Sequence, residues 1–290
     1  MDFKQTLASG KVLLFDGAMG SLLASMGGDM RSGHNNLTSR DLVEKAHRLY
    51  LEAGSDCLTT NSFSLNRIYS DLTDQQLDDS LRAAMEAALQ AADGHAFVFG
   101  DMGPTGQMLP PYGNGDANQI YEAYCRQVET MAAYPLSGLI VETVFHLAEA
   151  ELMLQACHDQ APQLPVVFTM TFCTARRGGA TMMGDRTADI CAFAQKHGVA
   201  ALGANCGDLN PKEYPPIIEG LKQAGLPVLL QPNAGKPQYA ENNAVSYPLS
   251  PQEFAAEMAL CRQAGAQLLG GCCGTTPEHI RQLRIGLAEE

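Results

Sequence analysis

Three cysteines carry the sharpest chemical signal in this sequence. Cys272 and Cys273 are adjacent, with Gly270-Gly271 before them and Gly274-Thr275-Thr276-Pro277 after, so an apolar run ends in two thiols just before a helix start. Cys206, in Gly203-Ala204-Asn205-Cys206-Gly207, also lies between an apolar run and a helix start. Neighbouring residues on a strand face opposite ways, so a Cys-Cys pair cannot bury both thiols on one side of a sheet. Brought together, three thiolates make a zinc site with one coordination position left for a reactant, the form that catalytic zinc takes. Such a centre is anionic: it deprotonates an incoming thiol yet leaves it nucleophilic, and it is ill suited to making hydroxide. The predicted chemistry is alkyl transfer to sulfur, with Cys206, Cys272 and Cys273 as metal ligands.

The chain must supply elements that bring these residues to one place. Eight short apolar runs recur: 12–15, 57–60, 96–99, 139–141, 166–169, 200–204, 228–230 and 267–269. Continuous rather than alternating, they read as strands buried on both faces. Between them lie helix signals, such as Thr38-Ser39-Arg40-Asp41, Thr73-Asp74-Gln75-Gln76 and Thr276-Pro277-Glu278, while Gly54, Gly198 and Gly225 mark helix ends. Strict strand-helix alternation predicts an α/β fold, a single (β/α)8 TIM barrel over residues 1–290, with a doubly wound sheet as the alternative. Barrel sites form at the C-terminal strand ends. There the sequence places Asp16-Gly17, Thr60-Asn61, Gly100-Asp101, Glu142-Thr143, Asn205-Cys206, Gln231-Pro232-Asn233 and Cys272-Cys273.

Asp16 and Glu142 are the carboxylates expected to hold a substrate ammonium. Asn205 and Asn233 join them as candidate substrate contacts, and Asn233 also offers a carbonyl oxygen to the open metal position. The pieces Asp16-Gly17-Ala18-Met19-Gly20 and Gly103-Pro104-Thr105-Gly106 lack the lysine and spacing of a phosphate loop and read as close backbone approach to a ligand. Arg176-Arg177 reads as a solvated loop, Met182-Met183 as packing, and His34, His146 and His279 show no catalytic pairing.

Composition narrows the partners. The net charge of −13, without a Lys/Arg cluster, speaks against nucleic acid and anionic membranes. The first apolar run is too short for a signal-peptide core or a membrane span, and nine cysteines without small-domain spacing suit a reducing compartment, so a cytoplasmic protein is expected.

At these residues the sequence resembles the homocysteine S-methyltransferases, from Asp16-Gly17-Ala18-Met19-Gly20 to Gly270-Gly271-Cys272-Cys273-Gly274-Thr275-Thr276-Pro277-Glu278-His279. Thr60-Asn61-Ser62-Phe63, Gly103-Pro104-Thr105-Gly106 and Pro232-Asn233-Ala234-Gly235 make it most similar to the homocysteine-binding domain of cobalamin-dependent methionine synthases. The resemblance implies Zn2+ on the three cysteines, homocysteine sulfur in the fourth position, and Asp16 and Glu142 on its amino group with Gly17 and Thr143 nearby. The 290 residues are expected to hold one barrel without a folate or corrinoid module, and Ser21 and the Arg176-Arg177 loop depart from that pattern. The expected donor is therefore methylcobalamin carried by a separate corrinoid protein, or a small onium compound. The alternatives are a zinc- and thiol-binding accessory subunit, and the same chemistry on another thiol or selenol.

Overall fold

The computed structural model describes residues 2–239 and 245–288. Eight parallel strands form one sheet: β1 (Leu13–Leu14), β2 (Cys57–Thr59), β3 (Phe97–Met102), β4 (Gly138–Val144), β5 (Val166–Met170), β6 (Ala201–Asn205), β7 (Val228–Gln231) and β8 (Leu268–Leu269). Each falls on one of the eight apolar runs. Hydrogen bonding runs in the order β1-β8-β7-β6-β5-β4-β3-β2, and a parallel bridge between Phe15 and Cys57 joins the two ends into a barrel.

Eight helices follow the strands in turn: α1 (Arg40–Glu52), α2 (Asp74–Ala92), α3 (Ala117–Ala132), α4 (Leu147–Gln160), α5 (Thr187–His197), α6 (Pro215–Leu221), α7 (Pro251–Ala264) and α8 (Pro277–Ala288). Thr73 and Gln76 make a reciprocal capping box at the start of α2, and Gly198 ends α5 at a φ of 60°, as their types predict. Ser39 precedes α1 but makes no capping bond. Among the described residues no helix is long and apolar enough to cross a membrane.

Inside the barrel the side chains change character along the strands. Leu13, Phe15, Cys57, Phe97, Phe99, Ile140, Val167, Ala201, Leu229 and Leu268 form an apolar interior. A short helix, Phe3–Ala8, plugs its N-terminal end with Phe3, whose ring meets Phe97 and Phe99 edge-on at 5.5 and 4.7 Å. Two residues further along the strands, or four on β6, the same inward parity delivers Thr59, Asp101, Glu142, Thr169, Asn205 and Gln231. The barrel is thus dry at one end and polar at the other.

Asp56 fastens the seam between β1 and β2. Its amide donates to the Leu14 carbonyl at 2.7 Å, its carboxylate accepts from Leu14 N at 2.9 Å, and Arg284 of α8 grips both that carboxylate and the Gly54 carbonyl.

Candidate metal and substrate site

The cysteines come from strands that are not neighbours, because β7 lies between β6 and β8. The segment leaving β7 ties them together. Cys206 N donates to Gln231 O at 3.0 Å, Cys272 N to Pro232 O at 2.8 Å, and Ala234 N to Cys273 O at 2.9 Å. Cys206 adopts a φ of 56°, uncommon for a side chain with a Cβ, and Tyr214 holds that turn by donating to the Cys206 carbonyl at 2.8 Å. Thr275 donates to Cys272 O at 2.7 Å.

The three Sγ atoms lie within 4.8 Å of one another, and Cys272 and Cys273 are 3.9 Å apart. Tetrahedral zinc with ~2.3 Å bonds to sulfur spaces its thiolates by roughly 3.8 Å, so the trio fits the ion in donor type and spacing. Hydrogen bonds from Cys206 and Cys272 pull the Cys273 thiol down, while bonds with Cys206 and Cys273 keep Cys272 well above the usual thiol range. Tyr247 also bonds to Cys273, and its ring lies over Gly274, where a Cβ would collide with it.

The cysteines open into a cavity of about 890 Å3, within the range typical of ligand pockets, roughly 300–1,000 Å3. Its inner wall includes Gly17, Thr59, Asp101, Glu142, Thr143, Gln231, Cys206, Cys272 and Cys273. Its outer part is walled by residues of the first two strand-helix loops, among them Met30, Arg31, His34, Phe63 and Tyr69.

β4 presents Glu142 and Thr143 through an irregularity. The β4–β5 register shifts between Val141 and Val144, and Thr143 takes a φ of 60°. Such bulges re-aim side chains beside active sites. Asn205 stabilises the distortion: its Oδ1 accepts from Thr143 N and Thr169 Oγ1, both at 2.8 Å, and its Nδ2 donates to Thr143 Oγ1 at 2.7 Å and Glu142 Oε2 at 3.2 Å.

Asp16 is only 1% exposed, with its oxygens accepting from Thr59 N at 2.9 Å and Thr59 Oγ1 at 3.0 Å. Burial pushes its carboxyl up to about 7 against those two bonds. Burial likewise pushes Glu142 up to about 8, helped by the charges of Asp16 and Cys273.

The structure therefore brings Cys206, Cys272, Cys273, Gly17, Glu142 and Thr143 to one cavity, with Asp16 directly behind its wall. Two expected substrate contacts stand elsewhere. Asn205 is fully buried and bonded to Glu142, Thr143 and Thr169, while Asn233, 2% exposed, donates to Gly207 O at 2.7 Å; neither lines the cavity. Asn233 Oδ1 is buried without a partner. Gly17-Ala18-Met19-Gly20 does approach the cavity, whereas Gly103 serves packing, since a Cβ there would strike the Phe63 ring. Thr105 and its loop are instead anchored by Glu149, which accepts from Thr105 N and Oγ1 at 2.7 Å. Arg176 and Arg177 are exposed away from the cavity, and Met182, expected to pack, is 77% exposed. Asp101 and Gln231, placed at strand ends by the sequence but given no role there, also line the cavity, as the inward parity of β3 and β7 requires.

The fold and site define a (β/α)8 barrel protein with a three-cysteine centre at the C-terminal ends of its strands. Residues 13–286 match the homocysteine S-methyltransferase family, and the chain belongs to that family. It is 33% identical to methionine synthase from Mycobacterium leprae over 99% of its own length, and 32% identical to that from Mycobacterium tuberculosis over 97%. It spans 25% of the length of each of these relatives. In fold it is similar to the metallated homocysteine methyltransferase MmuM from Escherichia coli, with a TM-score of 0.80 at 23% identity, covering 97% of this chain and 98% of that one.

Proposed function

We propose that this chain transfers a methyl group from an activated donor to the thiol of homocysteine, giving methionine, with Zn2+ held by Cys206, Cys272 and Cys273. The observation that carries this reading is one cavity with a three-thiol cluster on its wall and buried carboxyls beside it. Zinc bound there would supply the charge that lets an incoming thiol shed its proton near neutral pH. The rest falls to the chain's own groups. Glu142 faces the cavity and suits the ammonium end of an amino acid, Asp16 adds negative charge from behind, and Asn205 holds Glu142 in its bulge. Fixing both ends of the acceptor leaves its sulfur aimed at the open side of the cavity, the arrangement an in-line transfer requires.

The donor enters from the outer cavity. A methyl-corrinoid on a partner protein docked at the mouth is one reading. A small onium donor is the second, and a specific observation favours it: Phe63, Tyr69 and Tyr247 line the same cavity, where aromatic faces attract a cation.

The test is to measure zinc content and follow methionine formation from homocysteine with methylcobalamin, S-methylmethionine, S-adenosylmethionine and betaine, each supplied separately. Turnover with one onium donor supports the second reading, and turnover with methylcobalamin alone supports a corrinoid partner. Cys273→Ala should abolish both stoichiometric zinc and turnover in a folded barrel, and full retention of zinc would overturn the metal assignment.

A further inference from the structure

We propose that Asp101 is a specificity-determining residue that completes the ammonium wall beside Glu142 and so makes the site prefer an amino acid to an otherwise equal thiol. The inference rests on the homocysteine reading above and assigns a role to a residue outside the expected site set.

Asp101 is 6% exposed and lines the cavity. Its backbone is locked: Asp101 N donates to Thr60 Oγ1 at 3.0 Å, Ser62 Oγ donates to Asp101 O at 2.7 Å, and the two hydroxyls bond each other at 2.7 Å. That clamp fixes where the carboxyl points. One oxygen of the carboxyl, Oδ1, is buried without a hydrogen-bond partner, while the Met102 backbone bonds to the carboxyl. Leaving a buried carboxyl unpaired is costly, and a cavity-facing group in that state is suited to a ligand.

The neighbouring charges say which end of the ligand it meets. Asp101 is in register with Ile140 of β4, so Glu142 is the next inward residue on the adjoining strand, whereas the cysteines follow β6 and β8, neither of which pairs with β3. This places it beside Glu142 on the carboxyl wall of the cavity, which argues for an ammonium rather than a thiol proton. An ammonium presents three N–H donors and no acceptor. Asp16 already accepts two bonds from Thr59 and lies behind the wall, and Glu142 accepts one from Asn205. Asp101 brings unused acceptor capacity to the same wall.

The test compares homocysteine with 4-mercaptobutyrate, which has the same thiol, chain and carboxylate but no amino group. Binding of each to the zinc-loaded full chain is measured by calorimetry for wild type and Asp101→Asn. The Asn variant should weaken homocysteine by tenfold or more, about what one charged hydrogen bond contributes, and leave 4-mercaptobutyrate within about twofold, zinc content being equal. Equal weakening of both thiols, or an unchanged homocysteine affinity, overturns the proposal.

A second readout covers folding. Since the carboxyl has no side-chain partner, Asp101→Asn and Asp101→Ala should melt, without substrate, at or above the wild-type temperature; a clear fall in both would make Asp101 structural and overturn the proposal. Wild type that binds neither thiol, or shows no preference for homocysteine, would instead overturn the homocysteine reading.

Discussion

Asn205→Ala isolates how the β4 bulge is held. The substitution removes the acceptor of Thr143 N and Thr169 Oγ1 and the donor to Thr143 Oγ1 and Glu142 Oε2, without touching a cysteine. Thr169 is fully buried and cannot turn to water. Each stranded buried group costs about 1–3 kcal/mol, so losing the acceptor for two donors costs about 2–6 kcal/mol. Part is returned, because Thr143, held at a φ of 60°, is free to leave a left-handed conformation that costs a β-branched residue roughly 1–2 kcal/mol. The net expectation is a loss of about 1–4 kcal/mol in urea unfolding. As the bulge relaxes, Glu142 loses its alignment, and homocysteine affinity should fall about tenfold with zinc content unchanged. Thr143→Gly supplies the internal check, since glycine accepts this φ and lacks the hydroxyl. In that background the hydroxyl bond and the strain are both gone, so Asn205→Ala should not cost what it costs in wild type, a coupling a double-mutant cycle reads directly. Wild-type stability and affinity in Asn205→Ala, or strict additivity with Thr143→Gly, would refute the account.

Two further outcomes follow from the same geometry. Asp16 and Glu142 hold protons to about 7 and about 8 in the fold, against 3.8 and 4.5 for the same side chains in water, so the folded form binds more protons between about pH 4 and 8. Ligand-free stability should therefore fall as pH rises through that window, and the affinity for methionine, which has no thiol proton to lose, should rise as the carboxyls ionise; thermal melts and calorimetry at pH 6 and 8.5 would show both trends, and flat profiles would contradict the assignments. Gly203→Ala should prevent a stable barrel, because the new Cβ would sit inside the Leu229 carbonyl of the adjacent strand, where backbone cannot give way; soluble Gly203→Ala with a wild-type unfolding midpoint would exclude that packing.

The strands were legible because barrel strands bury both faces, so runs such as Val166–Met170 stand out without alternation. The cysteine trio was legible because no packing argument accommodates two adjacent thiols at a strand end. What stayed hidden depends on contacts distant in sequence. Nothing local to Glu142 and Thr143 announces a bulge, which exists because Asn205, 62 and 63 residues away, satisfies it. Asn205 reads as a strand-end asparagine facing substrate, and only the closed barrel shows its amide turned to its neighbours. The join between Cys206 and the Cys272-Cys273 pair required knowing that β7 intervenes and that residues 231–234 bond to both sides. Phe3–Ala8 carries no signal of its own, because Phe3 and Leu7 acquire meaning only once an open barrel end exists to receive them.

The seam at Asp56 has a consequence for the order of assembly. β1 finds one neighbour in β8, pairing Leu13 with Leu268, and its other side is secured by a carboxylate that Arg284 grips across 228 residues of sequence. While the chain grows from its N-terminus, β1 has no partner on its β8 edge until residue 269 has emerged. Contacts of such long sequence separation are intrinsically slow to form, and an unpaired strand edge invites association in the interval. Arg284 is placed to act as a latch that registers completion: loss of the Arg284–Asp56 clasp should show first as refolding yield that falls with protein concentration, before any change in the chemistry at the opposite end of the barrel.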